Sequence, residues 1–282
     1  MALLEMLPSF VLGLIDPGFI LYYAVEAYIQ TLLIGLREDG TIPSDLRGRA
    51  FGKFWTKISG APPDPAVALV GSATLVPSTF AQAQGTVLEI GPGSGNQTLY
   101  YNPAAAQIKT IYGAEPAKEL HKLLRKNADS TRVGPKYRII GADATKASIT
   151  RELLKDKVLE PGALANNMFD AIICVRVLCS VPNLEGTISD LHAMLKPGGK
   201  LLVVEHTANA WRTTKGSVIA RLVQTVYMLL GWSYFVGDCS LTRNIEQMLR
   251  KNTSERWETV SIERHFGKAV LTYISGSLVK KS

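Results

Sequence analysis

Cysteine is scarce in this 282-residue chain. There are three, Cys174, Cys179 and Cys239, an odd number without a Cys-x-x-Cys pair. That argues against a disulfide framework and a structural zinc site, and points to a reducing compartment or a cytosolic face. His121, His192, His206 and His265 show no metal-type spacing, so no metal centre is predicted. A dense basic run is also missing. The net charge is +7, yet Lys280 and Lys281 form only a short tail, so nucleic-acid binding is not expected. Charged residues are 20% and hydrophobic ones 46%, which excludes a disordered chain. The length suits one α/β domain with an N-terminal extension.

Charge is nearly absent near the N-terminus. Over residues 10–36 only Asp16 and Glu26 are charged at neutral pH. Asp16-Pro17-Gly18 reads as a turn that interrupts the run, leaving an apolar stretch over 18–36 close to a membrane span in length. Tyr22, Glu26 and Gln30 recur at helical spacing as a polar stripe. No positively charged segment precedes the run, so a cleaved signal peptide is not expected. Three readings stand: a membrane anchor ending near Arg37, an interfacial helix, or a lid over the domain. Next, Ser44 or Asp45 is placed to cap a helix carrying Phe51, Phe54, Trp55 and Ile58 on one face. That face is either plain core or a wall of an acceptor pocket. Residues 61–85, rich in Pro, Ala and other small residues, read as a linker, with Asp64 and Pro65 able to start a short helix over 66–70. The expected organisation is an apolar, helical extension over 1–60, a linker over 61–85 and a catalytic domain over 86–282.

The catalytic domain opens with TVLEIGPGSGNQT, residues 86–98. Thr86, Val87, Leu88 and Ile90 suit a buried strand. Gly91, Gly93 and Gly95 follow at alternate positions, permitting positive φ and close approach to a ligand. Asn96 and Thr98 are placed to cap a helix. A dinucleotide fingerprint needs its third glycine where Asn96 stands, and the carboxylate of Glu89 before the turn opposes a pyrophosphate. A ligand carrying positive charge suits that carboxylate better. Strands are then predicted over 110–114, 137–142, 169–177 and 200–206, separated by helices. Asn183 caps the helix before Lys196-Pro197-Gly198-Gly199. The segments 257–266 and 269–278 alternate as a closing pair of strands. Five βα units and a hairpin predict a doubly wound α/β sheet.

E-I-G-P-G-S-G resembles motif I of class I S-adenosylmethionine-dependent methyltransferases, acidic-x-G-x-G-x-G. FDAIICVRVLCSVPN resembles motif IV, and L-K-P-G-G-x-L before an apolar strand is a common signature of the same proteins. Residues 86 to about 277 are similar to the ubiquinone/menaquinone-biosynthesis type. VRVLCSVPN, VVEH and GDCSLTR echo the small membrane-associated branch that methylates alkyl thiols. The resemblance implies a Rossmann-like, seven-stranded methyltransferase sheet with an N-terminal helical extension, and S-adenosyl-L-methionine as cofactor. It implies Glu89, Gly91, Gly93 and Gly95 around the methionine moiety, Glu115 on the ribose, and Asp143 with Ala144 at the adenine. Val175 and Arg176 would line the transfer cleft.

The expected activity is methyl transfer to a small apolar acceptor, a thiol or a hydroxyl. A thiol needs little base. A hydroxyl needs one, and His206 is the first candidate and Asp238 the second. Cys239 and Arg243 are placed to shape the acceptor pocket, and Cys179 reads as a small buried apolar residue. The expected partners are a small-molecule acceptor and, through residues 10–36, a membrane surface. The expected location is intracellular, at the cytosolic face of the endoplasmic reticulum if membrane-bound and otherwise cytoplasmic. Alternatives are a natural-product tailoring methyltransferase, a cofactor-binding partner without turnover, and a nicotinamide-dependent oxidoreductase. Asn96 and Glu89 count against the last.

Overall fold

In the computed structural model, residues 9–59, 63–64, 67–251 and 253–282 are described. Two helices come first, α1 (Ser9–Glu38) and α2 (Leu46–Ser59), then a 3₁₀ turn (Gly71–Leu75) running into α3 (Val76–Phe80). The parallel strands are β1 (Gly85–Ile90), β2 (Ile108–Ala114), β3 (Tyr137–Ile140), β4 (Phe169–Val175) and β5 (Leu195–Thr207). Between them lie α4 (Lys118–Asp129), α5 (Lys146–Lys155) and α6 (Leu184–Met194). After β5 come α7 (Val218–Leu229), α8 (Trp232–Phe235), α9 (Ile245–Arg250) and α10 (Thr253–Arg256), then β6 (Trp257–His265) and β7 (Thr272–Lys280). The seven strands run in the order β3-β2-β1-β4-β5-β7-β6, with β7 antiparallel to both its neighbours. This is the doubly wound, Rossmann-like seven-stranded sheet expected.

Strand alternation explains the layers. Leu88, Ile172, Cys174, Leu201 and Val203 point to one face and meet Phe54, Ile188, Leu191, Trp232 and Trp257. Val87, Ala171, Ile173, Leu202 and Val204 point to the other and meet Val76, Phe80, Tyr101 and Leu124. A sheet apolar on both faces needs cover on both faces. Consecutive strands wind outward in opposite directions from β1 and β4. The crevice beyond their C-terminal ends is where a ligand site is built in such sheets.

Three local expectations change. Asp16-Pro17-Gly18 does not interrupt the first helix, since α1 runs straight through Pro17. Proline removes the hydrogen bond to the carbonyl four residues back. Here that carbonyl, of Gly13, accepts the Val270 N–H at 3.1 Å instead, so the backbone loses nothing. After the glycine turn there is only a 3₁₀ helix (Thr98–Ala104) with Pro103 inside it. The N-cap residue of that 3₁₀ helix is Gln97; the Asn96 amide binds the Ser59 carbonyl at 2.6 Å, and Thr98 Oγ1 donates to the Gly95 carbonyl. Residues 67–70 are not helical, and the helical turn begins at Gly71. Pro65 and Ala66 lie outside the described residues.

Candidate functional site

A cavity of about 710 Å³ opens at the C-terminal ends of β1 and β4. Its floor is the glycine turn. Gly91 and Gly93 have φ of 61° and 60°. A Cβ on Gly91 would stand 2.8 Å from Val177 Cγ2, and one on Gly93 would stand 2.5 Å from Trp55 Nε1. Only glycine accepts both the conformation and the crowding. The roof is α2. Asp45 caps it, its side chain accepting the Gly48 N–H at 3.0 Å. Its C-terminal end is tied to the turn by the Asn96–Ser59 bond and by Ser59 Oγ to Ser94 Oγ at 3.2 Å. Phe51, Phe54, Trp55 and Ile58 therefore face into the cavity, joined by Trp232 and Val236 from the α8 region.

The opposite wall carries carboxylates. Glu115, at the end of β2, accepts the Gly93 N–H at 2.8 Å and the Ala117 N–H at 2.9 Å. Burial pushes its carboxyl up, against those two donors. Asp143 accepts both the N–H and the hydroxyl of Thr145, at 2.9 and 2.6 Å, and stays exposed to the cavity beside Ala144. Such a wall can accept hydrogen bonds from neighbouring hydroxyls and from an amine.

Arg176 adds a cation. It adopts φ 58°, donates to Ser72 Oγ at 2.9 Å and lies over the Tyr273 ring at 5.8 Å. The loop after it is held from below. Glu205 Oε1 accepts the N–H groups of Val177 and Leu178 at 2.9 and 3.0 Å. Glu205 Oε2 is buried with no hydrogen-bond partner among the described residues, and burial raises this carboxyl to about 7. Arg243 grips the same loop, donating to the carbonyls of Leu178 and Val181 at 3.0 and 2.6 Å. It is a brace for the loop, not part of the cavity wall.

A family model described as a methyltransferase domain matches residues 68–252. The chain belongs to the methyltransferase-domain family. Among curated proteins it is similar to the thiol S-methyltransferase TMT1B of Rattus norvegicus, 25% identical over 166 residues, or 59% of this chain and 58% of that protein. It is also similar to the hybrid PKS-NRPS synthetase apdA of Emericella nidulans, 30% identical over 57% of this chain and 4% of that protein. The alignment thus spans little more than half of the rat relative. Among solved structures, the [4+2]-cyclase SpnF superposes with a TM-score of 0.50 at 15% identity, covering 78% of this chain and 86% of that one, a likeness of fold alone.

Within this methyltransferase domain the cavity gathers Gly91, Gly93, Glu115, Asp143, Ala144, Arg176, His206 and Asp238. Glu89, Gly95 and Val175 are not among its lining residues. Gly95 sits against Leu124 and Val175 packs on the far face of the sheet. Glu89 is buried beneath the turn, where its Oε2 accepts the hydroxyls of Tyr137 at 2.7 Å and Tyr101 at 3.1 Å. This carboxylate thus holds a pair of tyrosine hydroxyls that come from two other segments. Asp238 stands at the rim, exposed and paired with Arg47 at 2.6 Å.

Burial raises Glu89 to about 7, outweighing the two hydroxyls. The unfolded chain loses that proton near 4.5. Between those values the folded state binds the extra proton, so its stability falls as pH rises. Glu89→Gln keeps an acceptor for the tyrosines and has no charge to bury. It is expected to gain about 2–3 kcal/mol at about pH 8 and to flatten the pH dependence. Urea unfolding across the range checks this, and a parallel pH profile for both proteins would contradict it.

One grouping escaped sequence reasoning. Cys179, His206 and Cys239, from three separate segments, bring their ligand atoms within 4.8 Å of one another. His206 Nε2 is 3.1 Å from Cys239 Sγ, to which Trp232 Nε1 also donates at 3.2 Å. Only the echo of VLCSV, EH and GDCSLTR pointed at these segments together. Trp232 carried no signal.

Proposed function

We propose that this chain transfers a methyl group from S-adenosylmethionine to the sulfur of a small apolar thiol, working at a membrane surface. The observation that carries the reading is one cavity with two unlike walls: Glu115 and Asp143 on one side, Phe51, Phe54, Trp55 and Trp232 on the other. The residues fit the donor. Glu115 retains lone pairs for a ribose hydroxyl pair, Asp143 for the adenine amine, and the glycine floor admits close approach where any Cβ would collide. When bound, S-adenosylmethionine supplies an electrophilic methyl group on a sulfonium. The chain's share is then positioning and exclusion of water by the aromatic roof. Thiol chemistry is supported by the likeness to the rat thiol S-methyltransferase and by VLCSV, EH and GDCSLTR, the segments that Arg243 and the Ser240–Cys179 backbone bond clamp together. A tailoring methyltransferase of natural products is the second reading, favoured by the match to the fungal synthetase.

Membrane association is supported by two neighbouring helices. Within Val11–Glu38 of α1, an 18-residue window has a mean hydropathy of 1.5, yet only 22% of that window is buried. Ala24, Ala27 and Thr31 face inward, Glu26 pairs with Lys57 of α2, and Phe19, Ile29 and Leu33 face outward. α7 lies alongside, with Tyr227 donating to the Leu14 carbonyl, and presents Ile219, Leu222, Val226 and Leu229 to the outside. Exposed Trp211 and Arg212 precede it. A helix docked on its own domain by one face, with the other apolar, suits the interface plane better than a span.

The donor half is tested by calorimetry. S-adenosylmethionine is expected to bind in the micromolar range and NADPH not to bind. The reverse result would sink the reading.

A further inference from the structure

We propose that Cys179, His206 and Cys239 form a mononuclear zinc site whose fourth position opens into the cavity and takes the sulfur of the acceptor thiol. The metal site stands on geometry alone; its role toward the acceptor rests on the thiol-methyltransferase reading above.

The three residues come from the loop after β4, the end of β5 and the loop after α8, and all three are buried while lining the cavity. Two sulfurs and an imidazole nitrogen within 4.8 Å of one another can close around one ion with little movement. The cluster is braced from behind. Trp232 Nε1 donates to Cys239 Sγ at 3.2 Å, an outer hydrogen bond of the kind that steadies a metal-bound thiolate. Arg243 and the bond from Ser240 N to the Cys179 carbonyl lock the two cysteine loops together.

The donor set selects the ion. Two thiolates and an imidazole favour a soft or borderline ion over magnesium or calcium, and zinc is the first candidate. Structural zinc sites are closed by four protein ligands. Sites with three protein ligands and one open side leave room for water or substrate. Here the open side is the cavity bounded by Phe51, Trp55 and Trp232. A thiol entering it replaces water on the ion and releases its proton to solvent, leaving a thiolate held in place. The chain then needs no side-chain base for that proton. This accounts for Asp238 standing apart at the rim with Arg47.

The test uses the full chain, purified under reductant, with cobalt(II) as the probe. About one equivalent is expected, with a thiolate-to-cobalt charge-transfer band and the strong visible bands of a tetrahedral site, both abolished by zinc. Cys179→Ser, Cys239→Ser and His206→Gln are each expected to lower cobalt affinity by about a hundredfold or more. Cys174→Ser, in β4 and outside the cluster, should leave the spectrum unchanged. Should a variant fail to fold, wild-type alkylation decides instead: zinc should protect Cys179 and Cys239. Reduced wild-type protein that binds S-adenosylmethionine but takes up neither ion, or protein whose Cys179 and Cys239 are joined as a disulfide and stay metal-free after reduction, would overturn the site.

The acceptor arm is separate. A small alkyl thiol should shift the charge-transfer band, and metal-stripped protein should methylate it at least about tenfold more slowly while still binding S-adenosylmethionine. Full thiol methylation by the stripped protein would overturn the acceptor role and leave the methyltransferase reading intact. If neither form methylates any thiol, the thiol reading fails and the acceptor role with it, while cobalt uptake still decides the metal site.

Discussion

Glu115→Ala is expected to weaken S-adenosylmethionine binding by about a hundredfold, a loss of about 2.7 kcal/mol in a calorimetric titration. Hydrogen bonds to a charged group contribute about 1.5–3 kcal/mol each. On the proposed cofactor placement, the alanine variant removes the acceptor for a ribose hydroxyl pair. It also frees the N–H groups of Gly93 and Ala117, which Glu115 holds at 2.8 and 2.9 Å, so the glycine floor loosens as well. Glu115→Gln keeps the shape and an acceptor oxygen but not the charge, and about a tenfold loss is expected. An alanine variant that unfolds cooperatively like the wild type yet binds the cofactor equally well would remove Glu115 from the site.

The second large effect lies on the outer face of α7. Replacing Leu222, Val226 and Leu229 together by glutamate is expected to cut binding to anionic lipid vesicles by at least about a hundredfold. These side chains are 61%, 51% and 82% exposed and share one stripe of α7, so the fold has little to lose. The inner face of α7 is held elsewhere. Gln224 is fully buried, accepts the Asn209 N–H at 3.0 Å and donates to the Val270 carbonyl at 2.8 Å. The net charge of +7 adds attraction to an anionic surface, which the substitution also weakens. Cofactor affinity should not change. Equal pelleting of variant and wild type with vesicles would contradict the membrane assignment, as would equal pelleting after removal of residues 1–36.

Much of the fold is legible in the sequence. The strand order follows from βα alternation because right-handed crossovers leave few topologies. The glycine turn, a cap at Ser44 or Asp45, which the structure puts at Asp45, and Asn183 as a cap, its side chain accepting the Gly186 N–H at 3.0 Å, are local features written in adjacent residues. Where the reading failed, the cause was a partner distant in sequence. Pro17 looks like a breaker until the Val270 N–H takes up the orphaned Gly13 carbonyl. That the Tyr101 and Tyr137 hydroxyls reach Glu89 from other segments is likewise invisible locally. Asn96 looks like a cap until Ser59 arrives from α2. The cysteines and histidines show no metal spacing because the cluster is assembled by loop packing and not by a local motif. The aromatic face of α2 was visible as a face. That it covers a cavity and not the sheet alone depends on the ties from Ser59 to Ser94 and Asn96.

The most direct measurement is an acceptor screen. The full chain is incubated with methyl-labelled S-adenosylmethionine and a panel of thiols, phenols and amines, and the products are identified by mass spectrometry. Label is expected on the sulfur of small apolar thiols, in preference to the phenols and amines. Cofactor bound but no label on any thiol, or label carried by phenols or amines alone, would contradict thiol methyl transfer.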